Sequence, residues 1–177
     1  EVPDEDGHYI TIWAPRQAGK TWVMNHVLWD LTEDARFDVI KLELEHLRMT
    51  RDTDRIASDI AGTIIRYLDL KEVLVQNLEQ FQGLFRKDVL TKPLILILDE
   101  FDALANEAIS ALASIFRNIH NIRQKAPGPS REKEYLLHSV ALIGVRSVLG
   151  IENQRGSPFN VQRSVHIPNL TREESDS

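Results

Sequence analysis

Residues 14–21 read Ala14-Pro15-Arg16-Gln17-Ala18-Gly19-Lys20-Thr21, and this stretch decides the fold. It matches the pattern of a phosphate-binding loop at every position except the first, where Ala14 replaces glycine. In that pattern backbone N–H groups surround the phosphates, the lysine reaches the outer phosphates and the hydroxyl binds Mg²⁺. The last three positions are supplied by Gly19, Lys20 and Thr21. The stretch therefore predicts a nucleotide site, and an ordinary strand-to-helix turn is the alternative.

The alanine at position 14 is compatible with such a loop because Pro15 follows it. A glycine would be needed there if the backbone had a positive φ angle. A residue before proline is instead pushed toward extended backbone with negative φ, which alanine adopts without strain.

The residues on either side of the loop fit a strand before it and a helix after it. Residues 9–13 form a β-branched and aromatic run, which predicts a strand. Val23, Val27, Leu28 and Leu31 recur at helical spacing after the loop. A phosphate-binding motif is meaningful only in this context.

A second motif follows the apolar run at residues 94–98, which Pro93 precedes. Such a run predicts a central parallel strand covered on both faces, and Asp99 and Glu100 stand at its carboxyl end. Asp99 would hold Mg²⁺ through water, alongside Thr21. Glu100 would orient or deprotonate the attacking water. A solvated strand end is the alternative for the Asp-Glu pair by itself.

The remaining pattern alternates strands and helices and contains no internal repeat. It predicts an α/β fold with a mostly parallel sheet. Further strands are expected at residues 37–44, 140–143 and 164–167, with the first as a possible edge. Apolar stripes predict helices along 56–68, 74–85 and 104–122, and residues 125–134 have the composition of a mobile loop. Thr171 to Glu174 fits a capping box that begins another helix.

Composition limits the classes of function. The 177 residues suit one domain, and a net charge of -6 argues against a broad basic face for nucleic acid. The absence of cysteine excludes disulfides and thiolate chemistry. No apolar run reaches transmembrane length, so we expect a cytoplasmic protein without membrane contact. A start at Glu1 rather than Met suggests a processed chain or a piece of a longer one.

Four segments together resemble the AAA+ and STAND ATPases of the P-loop superfamily, and especially prokaryotic AAA-like domains. They are APRQAGKT at 14–21, LILILDEFD at 94–102, ALIGVRSV at 141–148 and HIPNLTREE at 166–174. The first two are specific for the superfamily, and the last two carry weight only in this order. The resemblance implies a three-layer P-loop NTPase of the ASCE type, with strand order 5-1-4-3-2.

The same resemblance implies the roles of individual residues. Lys20, Glu100 and Arg146 would be catalytic, with Arg146 as a sensor after the fourth strand. Thr21 and Asp99 would bind the metal. The nucleotide would contact Ala14, Pro15, Arg16, Gln17, Ala18, Gly19, Lys20, Thr21 and Trp22. Residues 1–168 would form the ATPase core, and 169–177 the start of a truncated lid or C-terminal helical segment.

Other candidate residues have weaker support. The six histidines show no close metal-ligand spacing. Arg117 and Arg123 lie where oligomeric relatives can supply an arginine finger, and a solvated helix face is the preferred alternative. The three tryptophans are expected in the core or between helices rather than in a base-stacking platform; they are Trp13, Trp22 and Trp29.

The sequence therefore predicts a Mg²⁺-dependent ATP-binding and hydrolysing core that couples nucleotide state to flanking output domains. Self-association is possible, and the isolated core is expected to be a slow ATPase. One alternative is a signalling scaffold that binds ATP or ADP tightly with little turnover. Another is the ATPase core of a DNA-acting protein similar to origin-recognition ATPases, although the acidic balance speaks against direct nucleic-acid binding by this segment.

Overall fold

Five parallel strands form one sheet in a computed structural model, which describes residues 7–13, 26 and 28–144, and the backbone of 164–166. The strands are β1 (Tyr9–Trp13), β2 (Asp38–Glu43), β3 (Leu94–Asp99), β4 (Leu137–Gly144) and β5 (Ser164–His166). Every pairing between them is parallel. Parallel strands need crossover connections, which the helices between them provide.

The strands lie in the order β2-β3-β4-β1-β5. This is the predicted order 5-1-4-3-2, read from the opposite edge. All six residues of β3 are buried, as its unbroken apolar sequence predicts for a strand covered on both faces. β2 pairs only with β3 among the described strands, so the expectation of an edge strand is confirmed.

Besides the helical residues 28–32, the described part of the chain has three helices between the strands: α1 (Thr53–Tyr67), α2 (Leu78–Gly83) and α3 (Asn106–Lys125). Short 3-10 turns occupy Glu45–Leu47, Phe101–Ala103 and Ser130–Glu132. The Asp52 carboxylate accepts the Arg55 N–H at 3.1 Å, and the Asn77 side chain accepts the Gln80 N–H at 2.9 Å. These side chains satisfy donors that a helix start leaves open, so they fix where α1 and α2 begin.

Helical residues cover both faces of the sheet. The larger core joins one face to apolar residues of α1, α2 and α3, including Ile60, Phe81 and Phe116. On the other face Ile97 and Ile143 pack against Leu28, which lies in helical residues 28–32. The three-layer prediction is therefore confirmed.

Two local expectations are wrong. α2 begins only at Leu78, where Asn77 caps it, and Leu74 lies outside the helix with 72% of its surface exposed. Residues 125–134, for which a mobile loop stays a prediction, contain the buried side chains of Ser130 and Lys133. Trp29 is 70% exposed, and its indole N–H donates to Glu33 at 3.1 Å instead of packing in the core.

Two further expectations concern tryptophan and membranes. Trp13 is half-buried at the end of β1, whereas Trp22 lies outside the described residues. Within the described part of the chain, no helix is long and apolar enough to cross a membrane.

Candidate functional site

The carboxyl ends of the strands form one edge of the sheet, since all strands run in the same direction. Trp13 at the end of β1 pairs with Gly144 at the end of β4, and Asp99 ends β3 at the same edge. In open α/β sheets ligands bind outside this edge. Residue 14, where the phosphate-loop motif begins, directly follows Trp13 in the chain.

Several predicted site residues lie outside the described residues, so their placement stays a prediction. They are Ala14, Pro15, Arg16, Gln17, Ala18, Gly19, Lys20, Thr21, Trp22 and Arg146. The same holds for residues 169–177 and the helix that the capping box predicts. Asp99 and Glu100 are described, and the site is built from them.

Asp99 is a buried carboxylate, with 7% of the residue exposed. Its Oδ1 accepts the Glu100 backbone N–H at 2.9 Å, and its Oδ2 lies 3.4 Å from Lys41 Nζ. The Asp99 carbonyl accepts the Leu44 N–H at 3.0 Å, which extends the β2–β3 ladder to the end of both strands.

Glu100 has left-handed backbone angles, with φ 57° and ψ 37°. This conformation costs a non-glycine residue about 1–2 kcal/mol. The Glu100 carbonyl accepts the Ala103 N–H at 2.9 Å and so closes the 3-10 turn that follows β3. The sharp change of direction leaves the Glu100 side chain half-buried at the edge of the sheet. Strain of this kind is concentrated at functional sites, where surrounding structure maintains it.

Asp102, in the 3-10 turn, packs against the end of β4. A β-carbon built on Gly144 would lie 2.8 Å from Asp102 Oδ1 and 3.0 Å from its Cγ. Glycine at position 144 therefore lets a third acidic residue, Asp102, approach the strand ends. The sequence analysis did not identify Asp102, because it stands out only once β4 and the turn are placed together.

Arg48 places a positive charge near the acidic residues at the end of β3. The Arg48 guanidinium donates to Glu45, with Nε 2.6 Å from Oε1. That hydrogen bond is the main reason why the pKa of Arg48 is raised, and the more distant charges of Asp102 and Glu100 raise the pKa further. The Glu45–Arg48 pair thus adds no net charge beside Glu100 and Asp102.

The described residues fit a Mg²⁺ ion that is shared with a nucleotide. Among them no three His, Cys, Asp or Glu side chains come together as a metal cluster. Mg²⁺ needs no such cluster, since it keeps several waters and binds one or two carboxylates plus substrate phosphates. The Lys41 ammonium beside Asp99 Oδ2 shows that the carboxylate already faces a cation.

Lys41 was missed by the sequence analysis for a physical reason. The parallel register pairs Lys41 with Ile97 and Glu43 with Asp99. Side chains of paired residues share a face of the sheet, which brings Lys41 beside Asp99. The partial alternation in β2 indicates which residues share a face, but not which residue of β3 they meet.

Arg123 belongs neither to a neighbour's site nor to a solvated helix face. It is 1% exposed, and its guanidinium donates to the Tyr135 carbonyl and, at 2.6 Å, to Ser130 Oγ. The Arg123 carbonyl accepts from Lys133 Nζ at 2.8 Å. Both interpretations of Arg123 from the sequence are therefore wrong. Arg117 is half-buried on α3, so a fully solvated face does not describe it either.

The family model described as AAA-like domain matches residues 3–177. Subunit 4 of the rat origin recognition complex is 28% identical over 180 residues, which cover 93% of this chain and 37% of that protein. The chain thus spans little more than a third of the length of this curated relative.

Two solved structures share the fold. The Aeropyrum pernix Orc1 protein in complex with DNA has a TM-score of 0.55 and 21% identity, over 94% of this chain and 41% of that chain. The Drosophila origin recognition complex bound to DNA has a TM-score of 0.64 and 13% identity, over 97% of this chain and 40% of that chain. Because both are DNA complexes, the comparisons do not support the expectation that direct nucleic-acid binding by this segment is unlikely.

Proposed function

The chain belongs to the AAA-like domain family of P-loop NTPases of the AAA+ type, and we propose that it binds and hydrolyses ATP with Mg²⁺. One observation carries this proposal. Asp99 and Glu100 stand at the carboxyl end of a fully buried strand, at the sheet edge where β1 leads into the motif Gly19-Lys20-Thr21. Two separate motifs with residues typical of phosphate chemistry therefore follow strand ends at the same edge of the sheet.

The proposed roles follow from the chemistry of each group. Lys20 and the backbone of 14–21 bind the phosphates, and Thr21 and Asp99 hold the metal. Bound Mg²⁺ neutralises charge that develops on the transferred phosphoryl group. Glu100 orients the attacking water and accepts its proton.

Arg146 is proposed to contact the terminal phosphate. It follows Gly144 by two residues, so the chain reaches it from the same edge of the sheet. A guanidinium can pair with two phosphate oxygens. Arg146→Ala should therefore reduce the preference for ATP over ADP, and equal affinity ratios in variant and parent would count against this role.

Calorimetric titration of Lys20→Ala with ATP and Mg²⁺ tests the proposal. Loss of the ammonium should largely abolish binding, because backbone N–H groups cannot replace its charge on the outer phosphates. Lys87→Ala, at an exposed lysine remote from the strand ends, is the matched control and should bind like the parent. Unchanged affinity in a folded Lys20→Ala variant would remove the phosphate-loop assignment.

A DNA-acting role is the second candidate, and the DNA complexes among the structural relatives favour it. Fluorescence anisotropy with labelled duplex DNA, with and without ATP, would measure it. Salt-sensitive binding that depends on ATP would support the role. The acidic net charge of -6 implies that a DNA-binding surface on this segment would be local.

A further inference from the structure

Lys41 lies between two carboxylates at the edge of the sheet. Its Nζ is 3.4 Å from Asp99 Oδ2 and 3.7 Å from Glu43 Oε1. From this geometry we infer that Lys41 is a resident counter-cation of Asp99, which it releases to Mg²⁺ by turning toward Glu43. Lys41 thereby sets the Mg²⁺ concentration that nucleotide binding requires. The inference rests on the proposed function.

Burial makes the Lys41–Asp99 contact significant. The side chains are 16% and 10% exposed, respectively, so little water screens the two charges from one another. A buried carboxylate is stable only when it is paired or hydrogen-bonded. Lys41 therefore supplies positive charge to Asp99 before any metal arrives.

The same charge opposes a metal at Asp99. A divalent ion held by this carboxylate, even through water, would lie within several ångströms of the ammonium and would be repelled by it. Mg²⁺ binding is then favourable only if the ammonium moves or the repulsion is overcome. Lys41 acts here as a positioning residue, since it affects the metal through Asp99.

Glu43 gives the Lys41 ammonium a second carboxylate with which to form an ion pair. The Glu43 side chain is 74% exposed, so an ion pair with it costs little desolvation. Lys41 Nζ already lies 3.7 Å from Glu43 Oε1, so a small rotation of the flexible lysine side chain is enough to change its partner.

The test measures ATP affinity by calorimetry over a series of MgCl₂ concentrations. In Lys41→Met the Mg²⁺ concentration at half-maximal effect should fall about tenfold, because a positive charge near the metal has been removed. Lys41→Arg keeps the charge and should stay close to the parent. In Glu43→Gln the midpoint should rise about threefold, since the ammonium loses its alternative partner.

Lys71→Met is the matched control. Lys71 forms a similar pair with Asp69, at 3.6 Å, but both side chains are more than three-quarters exposed and lie outside the site. Lys71→Met should leave the Mg²⁺ concentration at half-maximal effect unchanged. A purely structural role for Lys41 would predict weaker ATP binding at every Mg²⁺ concentration, not a shift to lower concentration.

The outcomes separate the inference from the proposed function. If ATP affinity of the parent does not respond to Mg²⁺, the proposed function is overturned and the inference with it. If the parent responds and folded Lys41→Met has the same midpoint or a higher one, the inference alone is overturned. Should Lys41→Met fail to fold, Glu43→Gln decides, because an unchanged or lowered midpoint in that variant contradicts the exchange of partners.

Discussion

Gly144 at the end of β4 and Asp102 in the turn after β3 are packed so closely that a side chain at position 144 would displace the Asp102 carboxylate. A β-carbon there would approach Asp102 Oδ1 to 2.8 Å, which is shorter than real contacts allow. The end of β4 and the turn after β3 are therefore in close contact. The site depends on this packing as well as on its charged groups.

We expect Gly144→Ala to displace Asp102 and to lower the free energy of unfolding by about 1–3 kcal/mol. Gly62→Ala is the matched control, because its new β-carbon would meet only Arg66, at an ordinary 3.5 Å, within helix α1. The control should be more stable than the parent by about 0.5–1 kcal/mol. Urea unfolding of both variants measures the difference. An unchanged free energy of unfolding in Gly144→Ala would show that the turn moves to accommodate the new methyl group.

Glu100→Gln should bind ATP like the parent and hydrolyse it roughly 10²–10⁴ times more slowly, because the amide preserves size but removes the base. Single-turnover rates with saturating ATP are the measurement. Glu79→Gln, at an exposed position of helix α2, should retain the parental rate. Equal rates in Glu100→Gln and the parent would assign the base to another residue.

The left-handed backbone at Glu100 makes a separate prediction about stability. Glycine adopts φ 57° without strain, whereas a β-branched residue does so least readily. Glu100→Gly should therefore unfold with a free energy at least about 1 kcal/mol higher than Glu100→Ile. Denaturation with urea compares the two variants, and the reverse order would mean that the turn relaxes to another conformation.

Arg123→Ala should lower the free energy of unfolding by about 3 kcal/mol, because the Tyr135 carbonyl and Ser130 Oγ lose a charged donor in the interior. Arg131→Ala, at an exposed position in the same segment, should change stability by less than about 0.5 kcal/mol. Thermal unfolding over a range of protein concentrations measures both. A loss of ATP turnover in Arg123→Ala without any loss of stability would restore the arginine-finger interpretation.

Burial of the Tyr9 hydroxyl leads us to expect a loss of stability in alkaline solution. Burial raises the pKa of its hydroxyl above the ordinary value, although the Arg123 charge partly opposes this. In the unfolded chain the hydroxyl ionises above about pH 10, while the folded chain keeps the proton. The contribution of Tyr9 is thus complete below about pH 10 and is lost above it, by up to about 1.4 kcal/mol per pH unit.

Tyr9→Phe should therefore show a shallower loss of stability above about pH 10. At neutral pH it should be less stable than the parent by about 1 kcal/mol, because the hydrogen bond to the Leu137 carbonyl at 2.8 Å is lost. Tyr67→Phe, at a side chain that is largely exposed, should preserve the parental slope. If stability above about pH 10 falls as steeply in Tyr9→Phe as in the parent, ionisation of Tyr9 is not the cause of the alkaline loss.

Local patterns in the sequence were enough to predict the sheet and its functional edge. The unbroken apolar run at 94–98 identifies a strand covered on both faces, because polar residues cannot be buried there without partners. The Asp99-Glu100 pair at its end and the motif at 14–21 indicate nucleotide chemistry from residue type and spacing alone. The strand order came from the family resemblance, and the described strands have that order.

Only the tertiary structure decided which distant residues meet. The contact of Lys41 with Asp99 depends on the register of β2 and β3. The contact of Gly144 with Asp102 depends on how the turn after β3 packs against the end of β4. The contact of Arg123 with Ser130 depends on the path of the chain after α3. Periodicity indicates the face on which a residue lies but not its neighbour on the next element. A charged residue can therefore be read correctly as part of a strand or helix, while its burial and its partner follow only from the packing of elements far apart in the chain.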